Sequence, residues 1–398
     1  MCRAISPSPA VPATFTRDGC RIRSFGFSKR DCNENMETMT QEIGHDAKPA
    51  SDALSSVSMD GAISNLRGLS GKSILVTGGT GSFGRGLVEF LTTQFSPERL
   101  IVFSRDELKQ FEMQQRWKQP CMRYFIGDVR DVERLEIAMR GVDYVIHAAA
   151  LKQVPTAEYN PFECVRTNIH GAENVVRAAL RSGVKRVIAL STDKAANPIN
   201  LYGASKLASD KIFIAANALA GRDRARFAVV RYGNVIGSRG SVVEVFDRLI
   251  AGGAKGLPIT DKRMTRFFLT VQDGIRVVLS SLAMMEGGEL FVPKIPSVKV
   301  VDLVEAMLPG GDHTVIGIRP GEKLHEIMVS EDDARVTLEL PDRYVIEPLF
   351  DFWDRTHYVD RGATPVADDF SYASNTNAQW LDVEGIKALI ARSRAAKV

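Results

Sequence analysis

From about residue 70 onward the chain alternates short apolar runs with longer amphipathic stretches. The runs Ser73–Thr77, Arg99–Phe103, Met122–Ile126, Tyr144–Ala148, Val187–Leu190 and Phe227–Arg231 have strand length and composition, and Glu289–Val292 repeats the pattern later. Between them Arg130–Met139, Pro161–Arg181 and Ala204–Leu219 carry apolar residues at helical spacing. Strand and helix in alternation predict an α/β fold, a doubly wound parallel sheet of the Rossmann type. After Asn234 the pattern turns irregular through Arg263. A helix over Thr270–Met285 and the late strand then return to the sheet. Lys294 to about Pro348 predicts a smaller cap, followed by polar loops and an amphipathic end at Val383–Ala391. The division expected is a main α/β domain at 70–235, rejoined by 264–292, with 236–263 and 293–398 as a smaller cap and tail. No internal repeat stands out.

Residues 1–69 follow no such pattern. They are rich in Ser, Pro, Ala and Asn, and Pro7, Pro9 and Pro12 crowd together. Such a composition buries too little apolar surface to offset the entropy of ordering, so a disordered leader is expected. It lacks the hydrophobic region of a signal peptide, although its basic, acid-poor start faintly resembles a transit peptide. An upstream start codon, with Met36 or Met39 as the true start, accounts for it equally well.

Composition narrows the class. The 398 residues leave room for two or three domains, and 44% apolar content supports a substantial core. A formal charge of +3 makes no case for nucleic acid or an anionic membrane. No apolar run approaches the roughly 18 residues of a membrane span, so a soluble protein is expected. The five cysteines are odd in number, widely spaced and without a metal pattern, which fits reduced thiols in the cytoplasm.

The densest chemical signal is Thr77–Gly84 (TGGTGSFG), between the first strand and a helix-like stretch. Gly78, Gly81 and Gly84 recur every third residue, with Thr80, Ser82 and Phe83 between them. One glycine of such a turn makes the bend, one admits a pyrophosphate and one lets helix and strand pack closely, while the helix N-terminus faces the anion. At the tip of the second strand stand Ser104, Arg105 and Asp106, with Lys109 one turn on. A guanidinium there suits a ribose 2′-phosphate and favours NADP, whereas Asp106 leaves NAD open. Asp128 and Val129 follow the third strand, where adenine would lie. Ala148-Ala149-Ala150 follow the fourth and keep side chains small where a dinucleotide crosses the sheet edge.

Tyr202 and Lys206 form Y-x-x-x-K at the start of a helix. Four residues apart, they share a helical face, so the ammonium can sit beside the phenol. A phenol near 10 is a poor base, but a neighbouring cation and an oxidised nicotinamide both favour the phenolate. The pair is common on ordinary helices; its place after the Val187–Leu190 strand and Ser191-Thr192-Asp193-Lys194 is what makes it informative. His147, His170 and His325 lack metal-ligand spacing, and no metal is implied.

These residues together resemble the extended short-chain dehydrogenase/reductase family. TGGTGSFG, SRDELKQFEM, GDVRD, HAAALKQVP, EYNPFE, STDKAANP, LYGASK, VRYGNVIGSRGSV, ITDKRMTRF, FVPKIPS, RPGEKLHE and the tail segment NTNAQWL resemble its inverting UDP-N-acetylglucosamine 4,6-dehydratases, which begin pseudaminic acid biosynthesis. The likeness covers everything except the leader. Retaining hexose 4,6-dehydratases are similar but carry glutamate where this chain has Lys194. The resemblance implies Asp193 as acid for the departing 6-hydroxyl, Lys194 as base at carbon 5 and Thr192 as holder of the 4-hydroxyl, with Tyr202 and Lys206 serving the hydride step. It places Thr167 on the cofactor, Lys152 on the nicotinamide ribose or the sugar, and Asn234, Arg239, Arg266, Arg319 and Glu322 around the nucleotide sugar. NADP is the implied cofactor and UDP-N-acetylglucosamine the implied substrate. Rival readings are a capsule or O-antigen dehydratase-epimerase and, in a different class, a non-catalytic NADP-binding sensor or scaffold. Leu207, Ile212, Ile214 and Leu219 sit on more than one face of their helix, which predicts a homo-oligomer, and the resemblance suggests a dimer or hexamer.

Overall fold

The computed structural model describes residues 68–221, 225–350, 353–354 and 356–396; the expected leader lies outside the described residues. Among the described residues, seventeen strands follow in chain order. The first six are β1 (Ser73–Thr77), β2 (Arg99–Ser104), β3 (Met122–Ile126), β4 (Tyr144–His147), β5 (Arg186–Thr192) and β6 (Arg226–Tyr232). Next come β7 (Asn234–Ile236), β8 (Gly256–Ile259), β9 (Thr265–Thr270), β10 (Leu290–Pro293), β11 (Ser297–Lys299) and β12 (Asp312–Val315). The last are β13 (Ile327–Val329), β14 (Thr337–Glu339), β15 (Arg343–Ile346), β16 (Thr364–Pro365) and β17 (Tyr372–Ala373).

The main sheet runs β16-β14-β15-β10-β6-β5-β4-β1-β2-β3. Its strands from β3 to β10 are parallel neighbours, and β15, β14 and β16 extend it antiparallel. The inner strands are buried along nearly their whole length, which is why they read as apolar runs. Helices α1 (Ser82–Gln94), α2 (Glu107–Arg116), α3 (Val132–Met139), α4 (Gly171–Ser182), α5 (Leu201–Ala220) and α6 (Val271–Met284) cover it. α5 and α6 both lean on β5 and β6, one with α4 and the other with α1, so the sheet is covered on two faces. The strand order reverses between β1 and β4, the switch point at which such sheets bind ligands.

Two expectations need correction. Part of the stretch assigned to a cap, β14 and β15, joins the main sheet instead. Buried Arg343, which breaks the apolar pattern there, donates to Ser280 and Ser281 on α6. The helix expected over Pro161–Arg181 is three pieces: Pro161–Val165, a π-turn at Arg166–His170, and α4. A second core, with Val243, Phe246, Leu257, Phe268, Leu303 and Ile390 among its members, joins β7–β9 to the C-terminal helix Val383–Ala395. No helix among the described residues is long and apolar enough to cross a membrane.

Candidate active site

A cavity of about 600 Å³ opens at the C-terminal ends of the central strands. The β1–α1 turn forms one wall with Gly78, Thr80, Gly81, Ser82, Phe83 and Gly84. Gly78 has φ +65°, and a Cβ there would lie 2.8 Å from the Ala149 nitrogen, so this glycine brings the turn against the end of β4. A Cβ on Gly81 would meet only the Gly78 carbonyl at 3.2 Å, so its missing side chain leaves the cavity open. α1 starts there with no side-chain cap, leaving its first N–H groups toward the cavity.

The β2 and β3 ends contribute Ser104, Arg105, Asp106, Lys109, Asp128 and Val129. Asp106 caps α2 through the Lys109 N–H and pairs with the Lys109 ammonium, which holds its carboxyl below the usual range. That carboxylate is already engaged. Asp128 takes two guanidinium bonds from Arg130, at 2.9 and 2.7 Å, with Arg105 at 3.7 Å. Arg105 keeps more than half of its side chain exposed.

Ala148, Lys152 and Thr167 complete this side. Thr167 sits in the π-turn, and its buried hydroxyl has no partner. The Asn234 amide oxygen and the Ser241 hydroxyl, both lining the cavity, are likewise unpartnered. Buried polar groups rarely stay unmade, so these orphans fit a polar guest such as a dinucleotide with its sugar. Arg239 arches over the turn: its N–H donates to Ser82 Oγ (3.1 Å), and its carbonyl accepts from Lys152 Nζ (3.1 Å).

At the floor, β5 ends on Thr192, and a single 3₁₀ turn carries Asp193 and Lys194. The Thr192 hydroxyl donates to Asp193 Oδ1 (2.9 Å), and Lys194 Nζ donates to the same oxygen (3.0 Å). Asp193 is fully buried, and its second oxygen has no partner. Asn200 caps α5 by accepting from the Gly203 N–H at 2.7 Å, which sets Tyr202 and Lys206 in its first turns. Burial pushes the Tyr202 phenol up to about 12, against the pull of Lys194 and a Thr192 hydrogen bond. Lys194 is thus the cation among the strongest influences on this phenol, where the helical spacing had pointed to Lys206. Burial lowers the Lys206 ammonium, partly offset by Asp210.

Lys194 also reaches Glu326 (Oε1 at 3.2 Å), which the sequence reading passed over although it closes RPGEKLHE. Burial alone would lower the Lys194 ammonium; Asp193 and Glu326 outweigh it and raise it. All seventeen residues expected on the cofactor, the whole Thr192–Lys194 triplet, Asn234 and Arg239 line the one cavity. Arg266, Arg319 and Glu322 do not. Arg266 is buried on the Thr265, Lys323 and Leu324 carbonyls, and Arg319 pairs with Glu322 at 2.7 Å on the surface. His147 is buried against Thr77 (2.8 Å), and the described residues hold no cluster suited to a metal ion.

Residues 74–348 match the family of polysaccharide biosynthesis proteins. A UDP-N-acetylglucosamine 4,6-dehydratase (inverting) of Campylobacter jejuni is 56% identical over 80% of this chain and 97% of its own. A UDP-glucose 4-epimerase of Rickettsia canadensis is 39% identical over 80% and 95%. The crystal structure of Pen from Bacillus thuringiensis superposes with TM-score 0.74 at 34% identity, covering 82% of this chain and 98% of that one. With its Rossmann sheet, glycine turn and Tyr/Lys helix, the chain belongs to the polysaccharide biosynthesis protein family, on an extended short-chain dehydrogenase/reductase fold.

Proposed function

We propose that this protein dehydrates UDP-N-acetylglucosamine across carbons 4 to 6 with inversion at carbon 5, using NADP. The product is UDP-2-acetamido-2,6-dideoxy-β-L-arabino-hex-4-ulose, the entry to pseudaminic acid. The observation that carries the reading is the pairing of buried Asp193 with half-buried Lys194 beside Tyr202 in a cavity that begins at the glycine turn. The glycine turn and the α1 N-terminus would receive the pyrophosphate, Arg105 the 2′-phosphate, and Lys152 the nicotinamide ribose or the sugar. A bound dinucleotide would supply a reversible hydride acceptor facing the sugar.

The protein's own residues handle the protons. Tyr202 takes the proton of the 4-hydroxyl, held by Thr192. The resulting 4-ketone acidifies carbon 5, from which Lys194 takes a proton while Asp193 protonates the departing 6-hydroxyl. A 4-epimerase needs the hydride step alone, so an acid–base pair of Asp193 and Lys194 beyond Tyr202 favours dehydration over the activity named for the Rickettsia relative. Inversion calls for a proton delivered to the opposite face, by Lys194, Tyr202 or water.

NMR of the purified protein with UDP-N-acetylglucosamine in deuterated water tests this. The expected product is a 4-keto-6-deoxy sugar of L-arabino configuration with deuterium at carbon 5. A D-xylo product throughout early turnover removes the inversion, and a simple 4-epimer removes the dehydratase reading.

The reading extends to a cytoplasmic homo-oligomer. Cys121 and Cys164 are free thiols, and Tyr159, Phe162 and Leu219 expose their side chains on or beside α5. Light scattering at micromolar concentration should show at least a dimer; a monomer alone would rule it out.

A further inference from the structure

Behind Lys194 stands a carboxylate that the mechanism above leaves unused. Glu326 is 2% exposed, brings Oε1 to 3.2 Å from Lys194 Nζ, and leaves Oε2 without a hydrogen bond. Its backbone is fixed: its N–H donates to Ser374 Oγ (2.9 Å) and its carbonyl accepts from the Ser374 N–H (2.8 Å). The segment before it docks on the catalytic turn, with Lys323 Nζ donating to the Ala196 carbonyl (2.6 Å) and Asn200 Nδ2 to that of Gly321 (2.8 Å). The charged and titratable groups that face Lys194 are Asp193, Glu326, Arg266, Lys323 and Tyr202. Only two are carboxylates, and Asp193 is already assigned to the leaving hydroxyl.

We propose that Glu326 is a positioning residue for the elimination: it holds Lys194 beside Asp193 and stabilises the ammonium formed when Lys194 takes the carbon-5 proton. The inference rests on the dehydratase reading. In the step, the C5–H bond breaks, its proton goes to a neutral Lys194, and its electron pair becomes the C5–C6 double bond. The C6–O bond breaks with its pair on oxygen, which leaves as water with the Asp193 proton. Lys194 and Asp193 rest as an ammonium–carboxylate pair; passage of a proton across their 3.0 Å hydrogen bond gives the neutral base and the protonated acid, and the step returns them to ammonium and carboxylate, so the cluster's net charge is unchanged. A base held by a third group is the usual arrangement of an activated proton acceptor. Glu326 keeps an anion beside Lys194 even while Asp193 carries its proton.

Glu326→Gln keeps the shape and removes the charge. With the full chain, kcat should fall about tenfold or more with KM little changed, since Glu326 does not line the cavity. The Lys194 ¹⁵Nζ signal, followed without substrate, should lose its proton at lower pH than in the wild type. Glu326→Asp should recover part of both effects, and it serves as the test should Glu326→Gln not fold. An unchanged Lys194 titration, or an unchanged kcat in a folded variant, overturns the proposal. A wild type that forms no 4-keto product instead overturns the dehydratase reading, and the proposed role with it, whatever Lys194 shows.

Discussion

Lys194 is the residue on which the site turns, because it touches Asp193 and Glu326 at once. Lys194→Ala should retain dinucleotide binding, since none of the glycine turn, Arg105 or Lys206 changes, while dehydration falls about 100-fold or more. Cofactor fluorescence and product NMR separate the two; loss of binding together with turnover would mean the lysine is structural. The variant should also melt lower, because two buried carboxylates lose their shared cation. Arg105 makes the cofactor a separate question. Asp106 is engaged by α2 and Lys109, so no free acid marks the β2 tip for a ribose 2′-hydroxyl. Arg105→Ala should therefore weaken NADP far more than NAD in a titration of both. Equal losses would move the 2′-phosphate site elsewhere.

Elements hold these residues at short range, and α5 does so through a glycine. A Cβ on Gly203 would run into the Lys194 carbonyl oxygen, with the carbonyl carbon at 3.0 Å and Pro198 Cβ at 3.1 Å. Gly→Ala inside a helix ordinarily gains roughly 0.5–1 kcal/mol. Here Gly203→Ala should lower Tm by a few degrees and cut turnover, because the methyl pushes the helix off the turn that carries Asp193 and Lys194. A Tm that rises with full activity would show that the turn yields freely. The same elements show what the sequence made legible. The central parallel strands were readable because burial on both faces leaves nearly uninterrupted apolar runs, the half-exposed edge strand β3 by its length and residue types, and β5 overran its expected end by only Ser191 and Thr192. β14 and β15 were not, since three or four residues with a buried Arg343 carry no strand signature. The π-turn at Thr167 hid inside a continuous helical period. Glu326 went unseen because its partner lies far away in sequence, and nothing local marks a carboxylate as buried.

At the scale of the whole molecule, the switch point that opens the cavity is also where β1 and β4 share a buried imidazole. His147, at the end of β4, hydrogen-bonds Thr77, at the end of β1, and is 1% exposed. Burial, with Lys206 adding to it, lowers its pKa from 6.5 to about 3. In the window between those values the unfolded chain binds a proton at this ring that the folded protein refuses. Stability is therefore retained above the unfolded value and drains away as pH falls through the window toward the folded one. The slope from one such group is at most about 1.4 kcal/mol per pH unit. The carboxylates contribute their own acid dependence, so the informative quantity is the difference between wild type and His147→Asn, whose amide can still pair with Thr77. Denaturant midpoints at stepped pH from 7 down to about 4.5 should show the wild type losing stability faster than the variant, with the curves converging as pH falls. Parallel curves would mean that the imidazole takes up its proton without opening the sheet, and that the junction between β1 and β4 is looser than its burial implies.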